Sequence, residues 1–484
     1  MRTLDRLEKS RDFWVLLVIL FAFFLLRLPS LFEPHWYGDE GIYQTIGTAI
    51  RKGALLYRDT WDNKPPLLYL VYAIFNGNQF FVRSASLVVG ILSTIIFYLL
   101  SKKLFENSRL IPFLTTSFFS VMLGLPLIEG NIANAENFMM LPILISALLI
   151  FSYSLSPNRS FLIFSGLLLS LAFLFKIVAV FDMASFSLFV FFVLYKDIKR
   201  MALTLKSILP LLFWFSLPII AVSIFFLFRN AFFYFYQATF TQMVGYVGYG
   251  NQFLIPQGLL YAKLILLSFL AVFLFRSRKK IEKNYIFILL WLAFSLFNAL
   301  FAQRPYTHYL LVLLPSFSLF LGTVFDNKFK KINIFIFIII LFIVIKNFNL
   351  YTKTRYYYQN FLAFAVNKKD VSSYYAFFDR NTPTDYQIAQ FINMKANPKD
   401  SIFIWGNNAQ VYKLTNKLPP GRFTVLYHMT SNSKTLEETR RDLNKAKPAY
   451  IIVTNTINQL PYDLSLYTPR IAIASTIIYE KTFK

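Results

Sequence analysis

Trp36-Tyr-Gly-Asp-Glu-Gly-Ile-Tyr43, followed at 62–66 by Asp-Asn-Lys-Pro-Pro, is the stretch whose reading decides the fold. It follows the apolar run Phe13 to Leu28, so Asp39 and Glu40 stand side by side where a chain has just left a bilayer. Acids suit the first turn of a helix, where their charge offsets exposed N–H groups. The pattern predicts a helix from about Asp39 to Lys52, with Ile42, Ile46, Ala49 and Ile50 on one face and Gly53 as its stop. That ordinary reading explains the acid pair without any chemistry, and the rest of the chain must decide whether it suffices.

Working outward, the chain is 56% hydrophobic and only 15% charged, with 57 Phe in 484 residues. Several apolar runs approach the ~20 residues that cross a bilayer. This composition is that of a polytopic membrane protein and excludes a soluble one. The net charge of +25 does not signal nucleic-acid binding, because Lys and Arg fall mainly in short loops between apolar runs. The absence of cysteine removes thiolate catalysis, disulfides and Cys-ligated metals together. Three histidines, His35, His308 and His428, make a His-rich metal site a poor expectation. The first run lacks a small-residue cleavage site and reads as a retained span rather than a signal peptide.

Eleven spans are predicted, at about 13–28, 79–101, 110–125, 138–155, 160–175, 177–195, 207–228, 258–275, 285–302, 306–325 and 332–350. Leu67 to Phe75 is apolar but too short to cross, and reads as re-entrant or interfacial. Every second loop is cationic, so those loops and the N-terminus are expected in the cytoplasm. The loop 30–78, the Glu136 loop, Lys176, the Phe- and Tyr-rich loop from Arg229 to Gln257 and Arg304 then share the opposite face. The aromatic loop is expected on the membrane surface, either as an interfacial belt or shaping a substrate entrance.

Residues 1–350 form the expected transmembrane domain, and 351–484 read as a small α/β domain outside the cytoplasm. In that tail we predict helices at about 384–396, 408–416 and Lys434 to Lys445. Strands are predicted at Ser401 to Trp405, Phe423 to Leu426 and Ala449 to Thr454. Gly406 is a lone turn glycine, so no nucleotide site is inferred there.

The face opposite the cytoplasm collects the carboxylates Asp39, Glu40, Asp59, Asp62, Glu129 and Glu136 and the cations Lys64, Arg83, Lys176, Arg229 and Arg304. Arg83 and Lys176 are embedded in apolar sequence. A cation at mid-bilayer costs roughly 2.5–3.5 kcal/mol, so it lines a polar cavity or meets a counter-charge; the bland alternative is that both snorkel. Lys64 precedes Pro65-Pro66, a rigid turn that fixes where its ammonium points. Acids with several cations at an outer membrane surface suit transfer from a lipid-phosphate donor. The acid orients and deprotonates an acceptor hydroxyl, and the cations hold the departing phosphate. No Walker motif accompanies them, which argues against a nucleotide donor. A transporter cavity would share these groups.

The run Gly38-Asp-Glu-Gly-Ile-Tyr43, then Gly53-Ala-Leu-Leu-Tyr-Arg-Asp59 and Asp62-Asn-Lys-Pro-Pro-Leu67, resembles the first outer loop of the GT-C glycosyltransferases. The branch it looks like is the bacterial one related to protein O-mannosyltransferases and the lipid A aminoarabinose transferase. Asn134-Ala-Glu136, the segment Gly166 to Lys176, Tyr306-Thr-His-Tyr309 before Leu-Leu-Pro315, and Ile402-Phe-Ile-Trp-Gly406 extend the resemblance over nearly the whole chain. It implies a polyprenyl-phosphate-linked sugar donor, inverting transfer, Asp39 as general base, Glu136 at a second acidic position and Lys64 on the phosphate side. Where the aminoarabinose branch has a metal-binding acid before this lysine, the chain has Asn63. No firmly bound zinc is therefore expected, and a weak divalent site at Asp39 or Glu136 stays open.

The expectation is an all-α polytopic membrane glycosyltransferase of about eleven helices with an extracytoplasmic α/β domain, resident in the plasma membrane. Its catalytic residues are Asp39, Glu40 (supporting) and Glu136, with Lys64, Arg83, Lys176 and Arg304 on the donor phosphate. Tyr43, Asp59, Asp62 and His308 stand near them. The partners expected are the lipid-linked sugar, a glycan, lipid or protein acceptor, and the bilayer. The rival readings are a lipid-linked sugar flippase or transporter and an oligosaccharide ligase of the same superfamily. No internal repeat supports the transporter.

Overall fold

The protein is described from a computed structural model covering residues 11–197, 199, 201–242, 260–302, 304–326, 330–454, 460 and 462–482. Each of the eleven apolar runs carries a helix: Arg11–Arg27, Gln79–Leu104, Leu110–Gly124, Ala135–Leu155, Arg159–Phe175, Val180–Leu194, Met201–Phe228, Leu260–Ser277, Lys283–Phe301, Leu314–Phe325 and Lys330–Asn347. Among the described residues, seven helical segments are long and apolar enough to cross a membrane, and Leu110–Gly124, Arg159–Phe175 and Leu314–Phe325 are shorter apolar helices. The tenth run differs from its expectation. Its first residues, Thr307–Leu311, wind as a 3-10 turn, and the α-helix begins only at Leu314, with Pro315 in its first turn. Proline suits a first turn because its missing N–H would be unpaired there.

The chain divides into two compact units, each described by itself. Unit 1 comprises 1–30, 83–227 and 240–354; unit 2 comprises 31–82, 228–239 and 355–484. Unit 1 is the apolar helical part. Some of its polar groups bridge neighbouring helices: Ser146 and Ser165 exchange hydroxyl–carbonyl bonds, and Asn333 donates to the Thr323 carbonyl at 3.1 Å. Such pairing is what a chain in hydrocarbon requires.

Unit 2 joins the first loop to the tail. The helix Gly38–Arg51 forms over the predicted residues, buries Ile42, Ile46 and Ala49, and ends at Gly53 with φ +95°. The short apolar run becomes the nine-residue helix Pro66–Ile74. At 1.5 Å per residue it is only about 14 Å long, under half a hydrocarbon core. The two helices approach closely at Gly47, whose built Cβ would lie 2.6 Å from the backbone carbon of Tyr72. Gly41 likewise lies against the backbone of Gln410. The tail supplies a sheet in the order β1-β2-β4-β3, from β1 (Ile402–Trp405), β2 (Tyr450–Val453), β3 (Tyr467–Ile473) and β4 (Thr476–Lys481). β1 and β2 run parallel, while β4 is antiparallel to both β2 and β3. Ile402, Ile404, Ile452 and Ile478 pack with Ile388, Ile392 and Tyr412 into its core.

The predicted strand Phe423 to Leu426 does not form. Arg422 instead accepts the Trp61 N–H through its carbonyl at 2.9 Å, and a helical turn, Leu426–Met429, follows. The apolar Phe423 and Val425 that suggest a strand are buried, with the Phe423 ring against Trp61 at 5.6 Å. Of the aromatic loop, Phe232–Tyr236 is a short helix in unit 2, and residues 243–257 lie outside the described residues.

Because Gly47 faces backbone, Gly47→Val forces the two first-loop helices apart. We expect a loss of about 1–3 kcal/mol, the usual cost of overpacking, read as a lowered thermal unfolding midpoint. Gly38→Ala, with nothing within 4 Å of its Cβ position, is the control and should leave the midpoint unchanged.

Candidate functional site

In unit 2 the loop turn and the helix start meet. The Lys64 ammonium lies 3.4 Å from Asp39 and 4.0 Å from Asp62, and 4.8 Å over the Tyr43 ring. Tyr43, one turn on from Asp39, donates its hydroxyl to that carboxylate at 2.9 Å. The turn is held rigidly. Tyr57 donates to the Lys64 carbonyl at 2.7 Å, the Lys64 N–H donates to the Tyr69 hydroxyl at 3.1 Å, and Tyr69 donates onward to Asp62 at 2.8 Å. Burial, aided by Asp39 and Asp62, pushes the Tyr43 phenol well above its ordinary range, and burial with Asp62 does the same to Tyr69. Both therefore stay protonated donors. Asp39 keeps 36% of its side chain exposed while Asp62 keeps 4%, so Asp39 is the carboxylate a ligand can meet.

The other first-loop acids stand apart from that group. Glu40 is buried. Asp59 is exposed and paired with Arg58, whose hydrogen bond holds the carboxyl below its usual range. Sequence reasoning missed His428. It packs edge-on against Trp61 at 4.8 Å, with Nε2 3.7 Å from Asp62. Its imidazole is pushed down to about 4, first by burial, so it is neutral in the folded protein. No local signal marks it, since the spacing from Asp62 is set by the tail's packing.

In unit 1 a second group forms from the matched residues. Glu136, in the first turn of Ala135–Leu155, is buried and paired with the Lys176 ammonium, which lies 4.4 Å over the Tyr309 ring. Lys176 sits at the break between Arg159–Phe175 and the next helix. His308 has Nε2 4.0 Å from Glu136 and Nδ1 3.0 Å from Glu129. A carboxylate acceptor calls for Nδ1–H on the ring. Thr307 donates to the other Glu129 oxygen, and Glu129 itself sits in the left-handed region at φ +59°. Non-glycine residues rarely take that conformation, and such strain gathers at functional sites.

The remaining predicted cations in unit 1 are placed as follows. Arg83 is fully buried and donates to the Ser30 carbonyl at 2.6 Å. Arg304 is half-buried just ahead of the 3-10 turn Thr307–Leu311. Arg27, which the sequence reading passed over, is also fully buried and donates to the carbonyl of Gly130 and to Ser86.

Among the described residues, no three His, Asp or Glu side chains gather as a metal ion would need. Asp39 and Glu136, the two acids expected to hold a weak divalent ion, each face a lysine ammonium.

Comparison with solved structures shows the fold to be that of the GT-C glycosyltransferases. The crystal structure of ArnT from Cupriavidus metallidurans, bound to undecaprenyl phosphate, superposes with a TM-score of 0.55 at 12% identity, covering 97% of this chain and 98% of that one. The apo oligosaccharyltransferase of Archaeoglobus fulgidus gives 0.50 at 14% identity, over 92% of this chain and 69% of that one. Residues 384–467 match the family described as "Putative competence-induced protein Ccs4 C-terminal domain". No curated protein matches by sequence.

His428 makes a checkable difference. Its folded value of about 4 lies below the unfolded 6.5, so the fold prefers the neutral ring. That contribution is complete above pH 6.5 and is lost as pH falls toward 4, up to about 3 kcal/mol at 1.36 per unit. Asp385, pushed up to about 6 by burial, acts in the opposite sense, its contribution being lost as pH rises through that value. The test is therefore a difference: subtracting the His428→Gln unfolding profile from that of the parent should isolate a loss between pH 6.5 and 4.

Proposed function

We propose that the protein transfers a sugar from a polyprenyl-phosphate donor to an acceptor hydroxyl, with inversion, at the outer face of the plasma membrane. The observation that carries this reading is the Asp39–Tyr43–Lys64 group on the first loop, in a chain with the fold of a protein crystallised with undecaprenyl phosphate.

The chemistry follows from the groups. The acceptor hydroxyl gives its proton to the Asp39 carboxylate as its oxygen bonds to the anomeric carbon. The bond from that carbon to the phosphate oxygen breaks, and the phosphate leaves with the electron pair. Inversion follows from attack opposite the leaving group. Lys64 is assigned to the phosphate's charge; an ammonium at a departing phosphate stabilises charge where it develops. Arg83, spent on the Ser30 carbonyl, is assigned to holding the end of the first helix. Glu136 keeps Lys176 in position, and Glu40 supports the helix. Metal is assigned no step, because each candidate carboxylate has a lysine in the place a cation would take.

The rival reading as a flippase moves the lipid-linked sugar without breaking the sugar–phosphate bond. An oligosaccharide ligase shares every step above and differs only in the size of the group moved.

Asp39→Asn keeps the shape and removes the charge. We expect transfer to fall by about 10²–10⁴, the usual weight of a general base, with donor binding retained. A variant within about threefold of the parent would sink the assignment and leave Glu136 as the next candidate. Release of free polyprenyl phosphate, followed by mass spectrometry, separates transfer from flipping. Incubation with a chelator should leave the rate unchanged, whereas loss of a needed metal would lower it at least about tenfold. A reporter active only in the cytoplasm, fused after Lys484, should stay silent.

A further inference from the structure

Within unit 2, away from the acid–lysine group in its partners, an open cleft of about 290 Å³ is lined by three separated parts of the chain: 31–35, 78–80 and the tail residues Tyr375, Tyr386 and Lys413. Its floor is a rigid hydrogen-bonded network. The Glu33 carboxylate accepts from Tyr357 at 2.6 Å and Trp36 at 2.7 Å. Gln79 donates to the Glu33 and Pro34 carbonyls, Gln44 bridges Gln79 and the His35 ring, and the His35 N–H donates to Tyr386. The one acid of the lining thus has both carboxylate oxygens engaged.

The groups left over are donors. The Lys413 ammonium meets the Asn76 carbonyl and, among the described residues, no carboxylate. Burial, with Lys52 adding to it, holds its pKa below the ordinary lysine value. The Asn78 amide accepts from Phe81 N–H through its oxygen, while its NH₂ has no partner among the described residues. The Tyr375 hydroxyl has none either; its ring lies 4.5 Å from that of Tyr386. Phe80 presents a largely exposed ring to the same space.

A cavity near the lower end of the ~300–1000 Å³ of ligand sites, with aromatic walls and a few convergent polar groups, fits a small ligand. The Glu33 carboxylate is turned into its bonds with Tyr357 and Trp36, and the three donors left facing the space, one of them cationic, call for a ligand rich in acceptors and negatively charged at its Lys413 end. Aromatic faces suit the C–H surface of a sugar or polyol. We propose that this cavity binds a hydroxylated anionic unit, a uronic acid or a polyol phosphate, belonging to the acceptor. The acceptor assignment rests on the transfer reading; the binding itself does not.

The test uses the full chain in lipid nanodiscs and saturation-transfer NMR with three probes: glucuronate, glycerol 1-phosphate and glucose. At least one anionic probe should receive saturation, and glucose should receive much less. Lys413→Met keeps the stem and removes the charge, and should weaken that binding about tenfold or more, the scale of a charged hydrogen bond. Tyr375→Phe removes a single hydroxyl and should weaken it less, with the unfolding midpoint unchanged. Which anion binds names the source. Glucose binding as well as the anions, no binding by any probe, or full binding in Lys413→Met overturns the proposal. Asp39→Asn should bind the probes normally, so failure of the transfer reading and failure of the cavity are seen separately.

Discussion

The position of the Lys64 ammonium is what the first loop is built to fix. Its direct pairing with Asp39, 3.4 Å across a partly exposed gap, is worth at most about 1 kcal/mol. That is too little to hold a loop in place. The holding is done by the backbone of residue 64, whose carbonyl and N–H are both taken by tyrosine hydroxyls, and by Pro65 and Pro66, which stop the chain from turning elsewhere. Tyr57 adopts φ +69° to make its contact. A non-glycine residue there costs of order 1 kcal/mol or more, and such a cost persists only when the surroundings over-determine it. The loop spends stability on aim.

Unit 1 meets the same problem with different means. Cations in hydrocarbon are expensive, so each finds oxygen. Arg27 and Arg83 donate to backbone carbonyls at 130 and 30, which ties the end of the first helix to its neighbours. A Cβ at Gly130 would collide with the Leu123 carbonyl, so only glycine lets that carbonyl approach. Lys176 pairs with the buried carboxylate of Glu136. An ammonium paired with an acid can exchange that partner for a phosphate, whereas a guanidinium committed to a main-chain carbonyl cannot do so without moving the backbone. The sequence treats Arg83 and Lys176 alike; their surroundings separate them.

What was legible followed from composition and local pattern. The eleven helices come from apolar runs that nothing but hydrocarbon or a core would accept. The helix at 38–51 comes from its acid start, periodic apolar residues and glycine stop. Illegible were features set by distant packing. The apolar Phe423 and Val425 read as a strand because burial alone cannot say whether a sheet or the first loop covers them. β3 was missed because its residues after Tyr467 are mostly exposed and include Pro469 and Arg470, so no alternation marks it as the edge strand it is. Arg27 lies within the predicted span 13–28 with nothing local to mark it, and His428 lies 366 positions from the Asp62 it faces.

The two carboxylates flanking Lys64 show why environment, more than motif, selects the base. Both are aspartates and both lie within 4.0 Å of one ammonium. Asp62 is buried, accepts from Tyr69 and from the Asn63 N–H, and has the neutral His428 ring beside it. Each of its oxygens already accepts a hydrogen bond, and its side chain keeps only 4% exposure for an acceptor hydroxyl to reach. Asp39 gives one oxygen to Tyr43 and Lys64, at the start of the helix Gly38–Arg51. Proton transfer needs contact before it needs basicity. An enclosed Asp62 would be idle whatever its basicity, while an Asp39 in contact with the acceptor can act. In the proposed reaction the buried aspartate fixes the lysine and the open one meets the substrate.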